Sequence, residues 1–428
     1  MQRRLAALPL LILVMLACSI PGAAPTRTPV AADTVPFPPT TTTDPLPRPV
    51  EYQVCAGERM LALLVDPDLE ADIRAGLDLF ENDLCTAGYA VTENRTDFAT
   101  PVEIRSYLAS LYDQSAASLT GAILIGDQPH AYQYLYTVYA NPNIPPREEE
   151  AISFQYYADL DGIFRASEGY TSLGGYEFSY DIHEGEVDWE IWIGVLPVFN
   201  ANLGQTGLAI NRYFAKNHAY RSGETDLPQG FLEISEHFVS SSAGDDSSYL
   251  AGMTSGEYAW TPLSSAPDAR LYFDSFDAAR TVDQGYADLA AGVADIAVLD
   301  AHGSPAASGR IDLRWVRTHG LRTVLLWSNG CSVGNLDVEN NFLTTALYDE
   351  GSTVLIAKGT TNDSGGMGTN ANGFFGHNLA TGIASGLSLG EALLGHVNVP
   401  LRYPWSQDRE LHFGTAVLLG DPTLVLRP

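Results

Sequence analysis

Two apolar segments in the second half of the sequence end in residues that could work together as a base and a nucleophile. The segment IAVLDAHG ends at His302 and Gly303, and the segment TVLLWSNGC ends at Cys331. A cysteine thiol is mostly protonated at neutral pH, and a nearby imidazole can take its proton to give the nucleophilic thiolate. The two segments therefore predict covalent chemistry in which Cys331 attacks a carbonyl carbon and His302 transfers protons.

The backbone beside this pair fits the same chemistry. Gly303 allows a substrate carbonyl to come close, and the N–H groups of Gly303 and Cys331 are the predicted donors to an oxyanion. The alternative for Cys331 is a small buried side chain without a chemical role, which is common for a cysteine that follows a strand.

The elements that must position these residues read as an α/β fold. Short runs rich in Val, Ile and Leu alternate with amphipathic stretches, which predicts a parallel sheet covered by helices on both faces. A polar segment at 221–230 suggests a boundary, so we expect two α/β subdomains at 51–225 and 226–428. Ligand sites in such sheets lie beyond the carboxyl ends of the strands, which would place His302 and Cys331 on one rim.

The cysteines give a second argument about Cys331. Cys55 precedes a strand-like segment and Cys85 lies near the end of the helix-like segment that follows it, so a Cys55–Cys85 disulfide is predicted. Cys18 lies in the N-terminal segment, where it would be lipidated or removed with the signal peptide. Cys331 is therefore the one cysteine of the sequence that has no predicted partner. An odd cysteine in an exported protein indicates either a bond to another molecule or a reactive thiol.

The N-terminus predicts export. Residues 5–17 form an apolar run that is too short to span a bilayer, and residues 1–18 are typical of a signal peptide that ends at a lipoprotein-type cleavage site. Cys18 would then be lipidated, and the alternative is an ordinary cleaved signal. Residues 19–50 are rich in Pro and Thr and read as an extended linker. Both alternatives imply an extracytoplasmic, oxidising location, with membrane contact only through the lipid anchor.

The strong negative charge of the chain excludes two classes of binding partner. The formal net charge is −29, and the only lysines are Lys216 and Lys358. Nucleic acids and anionic lipids are bound through clustered Lys and Arg, so neither is an expected partner. A protein or peptide substrate fits the predicted chemistry better.

Three further segments carry weaker hypotheses. Asp159 and Asp161 in YYADLDG could hold a structural calcium ion, but the segment lacks the full ligand spacing of an EF-hand and a simple turn explains them better. The acidic segment that begins at His183 reads as a solvated loop rather than a metal site, and the chain is expected to close with a hairpin that turns at 420–422. The four polar residues of that loop are His183, Glu184, Glu186 and Asp188.

Six segments, in this order, resemble the gingipain family of cysteine peptidases, which belongs to the caspase-like clan. The segments are GAILIGD, FQYYADLDG, WEIWIGVLPV, AHGSPAASG, WSNGCSVGNLD and LLGDPTLVLRP. The resemblance implies that 226–428 folds as a caspase-like, mainly parallel sheet flanked by helices. It also implies an endopeptidase that needs no cofactor or metal, with Cys331 as nucleophile, His302 as base and a thioester acyl-enzyme.

The resemblance further points to an acidic loop that lines the substrate pocket. The corresponding segment is SSSAGDDSSYL, where Asp245 and Asp246 are the candidates, and helix capping is their alternative role. Two alternative functions remain open. One is a non-catalytic, surface-anchored binding or adhesion lipoprotein on a peptidase-like fold, and the other is a transpeptidase that uses the same chemistry.

Overall fold

The structure is a computed structural model, and it describes only part of the chain. The described residues are 51–114, 118–137, 146–225, 227–236, 263, 268–273, 281–362, 379–398 and 414–426. The predicted signal peptide, linker and Cys18 therefore lie outside the described residues, as do Asp245 and Asp246. Among the described residues, no helix is long and apolar enough to cross a membrane.

An eleven-stranded sheet organises the molecule, and three small sheets lie beside it. The strands, in chain order, are β1 (Glu51–Gln53), β2 (Arg59–Val65), β3 (Tyr89–Asn94), β4 (Ser118–Gly126), β5 (Tyr132–Thr137), β6 (Arg147–Ile152), β7 (Ile163–Arg165), β8 (Ser179–Tyr180), β9 (Ile182–Glu184), β10 (Trp192–Pro197), β11 (Phe231–Ser235), β12 (Arg270–Phe273), β13 (Ile296–Asp300), β14 (Gly303–Ser304), β15 (Ala307–Ser308), β16 (Ile311–Asp312), β17 (Leu325–Ser328), β18 (Ile356–Thr360) and β19 (Ala416–Gly420).

Helices connect most of the long strands. The helices are α1 (Pro67–Thr86), α2 (Pro101–Gln114), α3 (Gln155–Ala158), α4 (Leu203–Arg221), α5 (Val282–Ala291), α6 (Leu313–His319), α7 (Phe342–Tyr348) and α8 (Leu389–Val397). Most begin at a polar residue whose side chain accepts a backbone N–H of the first turn, which fixes where the helix starts. These capping residues are Asp66, Asn202, Thr281, Asp312, Asn341 and Ser388.

The large sheet has the order β1-β3-β2-β4-β10-β19-β18-β17-β13-β11-β12. Its pairings are parallel except β1 with β3 and β18 with β19. The central strands are buried along almost their whole length, because helices cover both faces and continuous apolar runs suit such strands. This confirms the predicted α/β fold with a large, mainly parallel sheet.

The last strand joins the two halves of the sheet. β19 lies between β10, from the first half of the chain, and β18, from the second. The predicted subdomain boundary near 225 stays a prediction, while the hydrogen-bonded sheet runs across it.

The predicted closing hairpin is wrong. After β19 the chain turns at Asp421, and Val425 then forms an isolated bridge with Ser388 instead of returning along β19. The Asp421 carboxylate is buried and accepts hydrogen bonds from Asn217 and Arg221 of α4, so a long-range contact decides where the chain leaves the turn.

Candidate functional site

The two candidate catalytic segments leave adjacent strands at the same edge of the sheet. β13 and β17 pair in parallel register, with Leu299 opposite Ser328. The N–H of Asn329 continues this ladder by donating to the carbonyl of Leu299 at 2.9 Å. His302 and Cys331 therefore follow neighbouring strand ends, as the sequence predicts.

The backbones of the two segments touch. A Cβ atom built on Gly303 would lie 2.6 Å from Cα of Gly330 and 2.7 Å from N of Cys331, and one built on Gly330 would lie 2.9 Å from Cα of Gly303. Real Cβ atoms do not come this close to backbone, so glycine at both positions is what allows the contact. The contact brings the chain at His302 against the chain at Cys331.

The two side chains differ in exposure. Cys331 keeps a reduced thiol and the residue is 4% exposed, whereas His302 is exposed at the rim. The His302 residue is therefore open to solvent, whereas Cys331 is covered by protein.

The turn that carries Cys331 is fastened to β18. Ser332 has a φ of 54°, in the left-handed region that non-glycine residues seldom adopt. Its N–H donates to the carbonyl of Asn362 at 2.8 Å, and the Thr360 hydroxyl donates to the carbonyl of Gly330 at 3.1 Å. These bonds hold the turn in a conformation that its sequence alone would not favour.

The segment after His302 forms the small sheet of β14, β15 and β16. The His302 carbonyl accepts the N–H of Gly309 at 2.7 Å, and the hydroxyls of Ser308 and Ser328 lie 2.9 Å apart. Glu236, at the end of β11, accepts the N–H of Arg310 at 2.9 Å. The backbone that carries His302 is thus fixed from two neighbouring strands.

A second small sheet, formed by β5, β6 and β8, borders the loop that follows Cys331. Tyr132 and Tyr176 stack with ring centroids 3.5 Å apart, and their hydroxyls donate to the two carboxylate oxygens of Asp337 at 2.8 and 3.4 Å. Burial and the adjacent Asp337 carboxylate raise the pKa of both tyrosines, so both remain donors at neutral pH. This tyrosine–carboxylate contact joins distant segments and was not predicted from the sequence, although Asp337 lies in the segment WSNGCSVGNLD.

A buried lysine lies in the sheet beside β17, the strand that leads to Cys331. Lys358 of β18 is in register with Trp327 of β17, and its ammonium lies 4.6 Å from the centre of the indole. Burial lowers the pKa of Lys358 to about 8. The charged form adds positive potential to the part of the sheet that supports the rim.

The candidate calcium residues do come together. Carboxylate oxygens of Asp159, Asp161 and Glu190 lie within 4.8 Å of one another. Asp159 already accepts the N–H of Gly162 at 2.5 Å and lies 2.7 Å from the His183 ring, and Glu190 accepts a backbone N–H at 2.5 Å. Asp159 and Glu190 therefore already accept hydrogen bonds from protein donors. Calcium binding at this cluster stays a prediction.

The solvated-loop prediction is wrong for His183. Its side chain is 2% exposed and stacks on Phe164 with centroids 4.2 Å apart, because the Asp159 carboxylate provides a buried partner from a distant segment. The loop prediction is also wrong for Glu184, which is exposed but belongs to β9 and pairs with Ile163 of β7. Glu186 is exposed outside the strand, as expected of a loop, and Asp188 is half-buried.

The disulfide and the pocket residues have different outcomes. Cys55 and Cys85 are joined by a disulfide with an Sγ–Sγ distance of 2.04 Å and a Cα–Cα distance of 6.1 Å. Asp245 and Asp246 lie outside the described residues, so their assignment to a substrate pocket stays a prediction.

Comparisons with known proteins agree with this architecture. The crystal structure of the Arg-specific cysteine proteinase gingipain R (RgpB) matches with a TM-score of 0.57 at 13% identity, over 86% of this chain and 78% of that chain. A complex of RgpB pro- and mature domains from Porphyromonas gingivalis matches with a TM-score of 0.54 at 16% identity, over 86% of this chain and 80% of that chain. A structure described only as a protease matches with a TM-score of 0.54 at 12% identity, over 87% and 80% of the two chains. At these identities, the likeness establishes the fold.

No curated protein sequence matches the chain. The sequence profile of peptidase family C25, the gingipain family, matches residues 82–427, which include both candidate catalytic residues. The chain belongs to peptidase family C25.

Proposed function

We propose that the protein is an extracytoplasmic cysteine endopeptidase that uses Cys331 and His302. The observation that carries the proposal is the contact of the Gly303 backbone with Gly330 and Cys331 at the carboxyl ends of two adjacent parallel strands. Such a rim is where α/β proteins present reactive groups to a ligand. Membership of family C25 supports the same reaction class.

The proposed reaction proceeds in two steps. His302 takes the thiol proton, and the Cys331 sulfur attacks the scissile carbonyl carbon while the N–H groups of Gly303 and Cys331 stabilise the oxyanion. The C–N bond then breaks, and the leaving amine receives the proton from His302, which leaves a thioester. His302 next takes a proton from water while the water oxygen attacks the thioester carbon. The C–S bond then breaks, the acid is released, and His302 returns the proton to the leaving sulfur, which restores the thiol.

The compartment is part of the proposal. The Cys55–Cys85 disulfide supports an oxidising location, because such bonds are rare in the reducing cytoplasm. Lipidation at Cys18 and a basic preference set by Asp245 and Asp246 rest on the sequence.

The experiment is peptide cleavage by the purified protein, with products identified by mass spectrometry. We expect Cys331→Ala and His302→Ala each to reduce kcat/KM by at least about a thousandfold. His319→Ala is a matched control, since His319 also precedes a glycine but lies exposed on α6. Equal activity of wild type and Cys331→Ala would contradict the proposal.

Adding glycinamide to the same assay separates hydrolysis from transpeptidation. A hydrolase gives mainly the free acid, whereas a transpeptidase gives mainly the glycinamide adduct, because the amine replaces water in the second step.

One observation favours a second candidate, a non-catalytic binding protein on the same fold. Cys331 is only 4% exposed, as expected of a structural cysteine. This candidate predicts that the protein cleaves none of the peptides tested, and that His302→Ala leaves the free energy of unfolding unchanged.

A further inference from the structure

A cavity lies on the opposite edge of the sheet from His302 and Cys331. Its volume is about 410 Å³, and it opens between α4, the end of α7 and the segment that leads into β18. β18 has five residues, so the cavity and the catalytic rim are roughly 15 Å apart along the strand at about 3.3 Å per residue. The cavity is therefore separate from the proposed active site.

Lys216 of α4 is the central polar group of this cavity. Its ammonium donates to the carbonyl of Leu347 at 2.5 Å and to the carbonyl of Ser352 at 3.2 Å. An ammonium has three N–H donors, so the third is available to a ligand. Lys216 is half-buried and lines the cavity.

Both of these acceptors are neutral carbonyl groups, one in the last turn of α7 and one in the segment after it, and the Tyr213 ring lies 5.9 Å from the ammonium. Among the described residues, no carboxylate is in contact with the ammonium. Asp349 contributes only a longer-range attraction, and Arg212 contributes repulsion. A buried cation is stabilised most by an anion in contact with it. This difference favours a ligand that brings a negative charge to Lys216.

The remaining walls describe the rest of the ligand. Tyr213, Tyr220 and Tyr348 line the cavity, and flat aromatic walls suit an aromatic or branched apolar body. Arg212 lies exposed at the mouth, where it pairs with the exposed Glu350 at 3.1 Å. Such an exposed pair is weak, and Arg212 can turn to a bound anion at little cost.

We propose that this cavity binds a small carboxylate with an aromatic or branched apolar body, with Lys216 contacting the carboxylate and Arg212 at the mouth. The proposal does not depend on catalysis by Cys331. It predicts an effector site that could be occupied while the catalytic rim is empty.

Proton uptake should accompany binding. Burial lowers the pKa of Lys216 to about 7, so the amine is mostly neutral at about pH 8. A carboxylate in contact with it favours the charged form and raises the pKa again. Binding at about pH 8 should therefore take up close to one proton, and the uptake should fall toward zero at about pH 6.

The test is isothermal titration of the full-length Cys331→Ala protein with benzoate, with benzamide as the uncharged probe of the same shape. Titrations in two buffers of different ionisation enthalpy measure the proton uptake. We expect benzoate to bind at least about tenfold more tightly than benzamide, because the amide lacks the charge that Lys216 requires.

Two variants locate the site. Lys216→Met should weaken benzoate at least about tenfold and abolish the proton uptake, whereas Arg165→Gln, which removes an exposed cation far from the cavity, should change neither. Equal affinity for benzoate and benzamide, absence of proton uptake at about pH 8, or no benzoate binding at millimolar concentration would each overturn the proposal. The affinities for benzoate and benzamide and the proton uptake are measured in a protein whose cavity is unchanged. They test the proposal even if Lys216→Met fails to fold.

Discussion

The two halves of the large sheet end their parallel strands in different ways at the same edge. In the first half, Asp66 follows β2, and its carboxylate accepts the N–H groups of Asp68 at 2.8 Å and Asp127 at 3.0 Å. In the second half, the corresponding rim carries His302 and Cys331 on glycine-containing turns whose backbones touch.

The difference shows how one architecture serves two purposes. The Asp66 carboxylate accepts backbone N–H groups, so it caps α1 and links the end of β2 to the residue after β4. At this rim the carboxylate is therefore used by the protein's own backbone. On the second half, the turn geometry holds a thiol next to the chain segment of an exposed imidazole. In the proposed function, the first half supports the sheet and the second half carries the reacting residues.

Two glycine substitutions should separate these roles most strongly. A methyl group on Gly303 would collide with the backbone at Gly330 and Cys331 and would displace an oxyanion donor, so Gly303→Ala should lower kcat/KM about a hundredfold or more. Gly126 has a φ of 95° and lies against Asp66, so Gly126→Ala should lower the free energy of unfolding by about 1–3 kcal/mol and leave kcat/KM per folded molecule nearly unchanged.

Peptide kinetics and chemical denaturation of both variants measure this contrast. A Gly303→Ala protein with wild-type kcat/KM would contradict the assigned difference between the two rims, because the contact between the two turns would then have no role in catalysis.

A pH effect on stability is expected from the second half of the sheet. Asp295 precedes β13, is 3% exposed and accepts the N–H of Gly230 at 2.9 Å, and burial raises its pKa to about 7. The folded protein therefore keeps a proton that the unfolded chain releases, and the free energy of unfolding should fall as pH rises from about 4 to 7.

Asp295→Asn keeps the acceptor oxygen and removes this titration. Urea denaturation across that pH range should show a fall about 2 kcal/mol larger in wild type than in Asp295→Asn. Parallel pH curves for the two proteins would contradict the assignment.

The smallest effect is expected at the rim that carries Asp66. Asp66→Ala removes the helix cap and the link to Asp127, and should lower the free energy of unfolding by about 1–2 kcal/mol without changing kcat/KM per folded molecule. Asp66→Asn keeps one acceptor oxygen and should cost less. A loss of kcat/KM in Asp66→Ala would show that the first half also shapes the active site.

The sequence was sufficient to predict the central strands and the meeting of the two catalytic segments. The apolar runs at β2, β4, β10, β13 and β17 are long enough to indicate buried strands, and parallel strands bring their carboxyl ends to one edge. The helices α2, α4, α5 and α7 follow from amphipathic stretches in the same way.

Long-range contacts could not be predicted. The place of β19 between β10 and β18 depends on pairings between distant segments, and the burial of His183 depends on Asp159. The short strands of the three small sheets are too polar and too brief to show a period. The cavity around Lys216 lies between α4 and the loop before β18, and no local sequence pattern indicates it.

The pairing of Cys331 with His302 is tested most directly by the rate at which iodoacetamide labels Cys331 near neutral pH, measured by peptide mapping. Wild type, His302→Ala and the control His319→Ala would be compared. We predict rapid labelling of Cys331 in wild type and His319→Ala, and at least about tenfold slower labelling in His302→Ala, because His302 produces the thiolate. Equally slow labelling in all three proteins would contradict this pairing and would identify Cys331 as a structural cysteine.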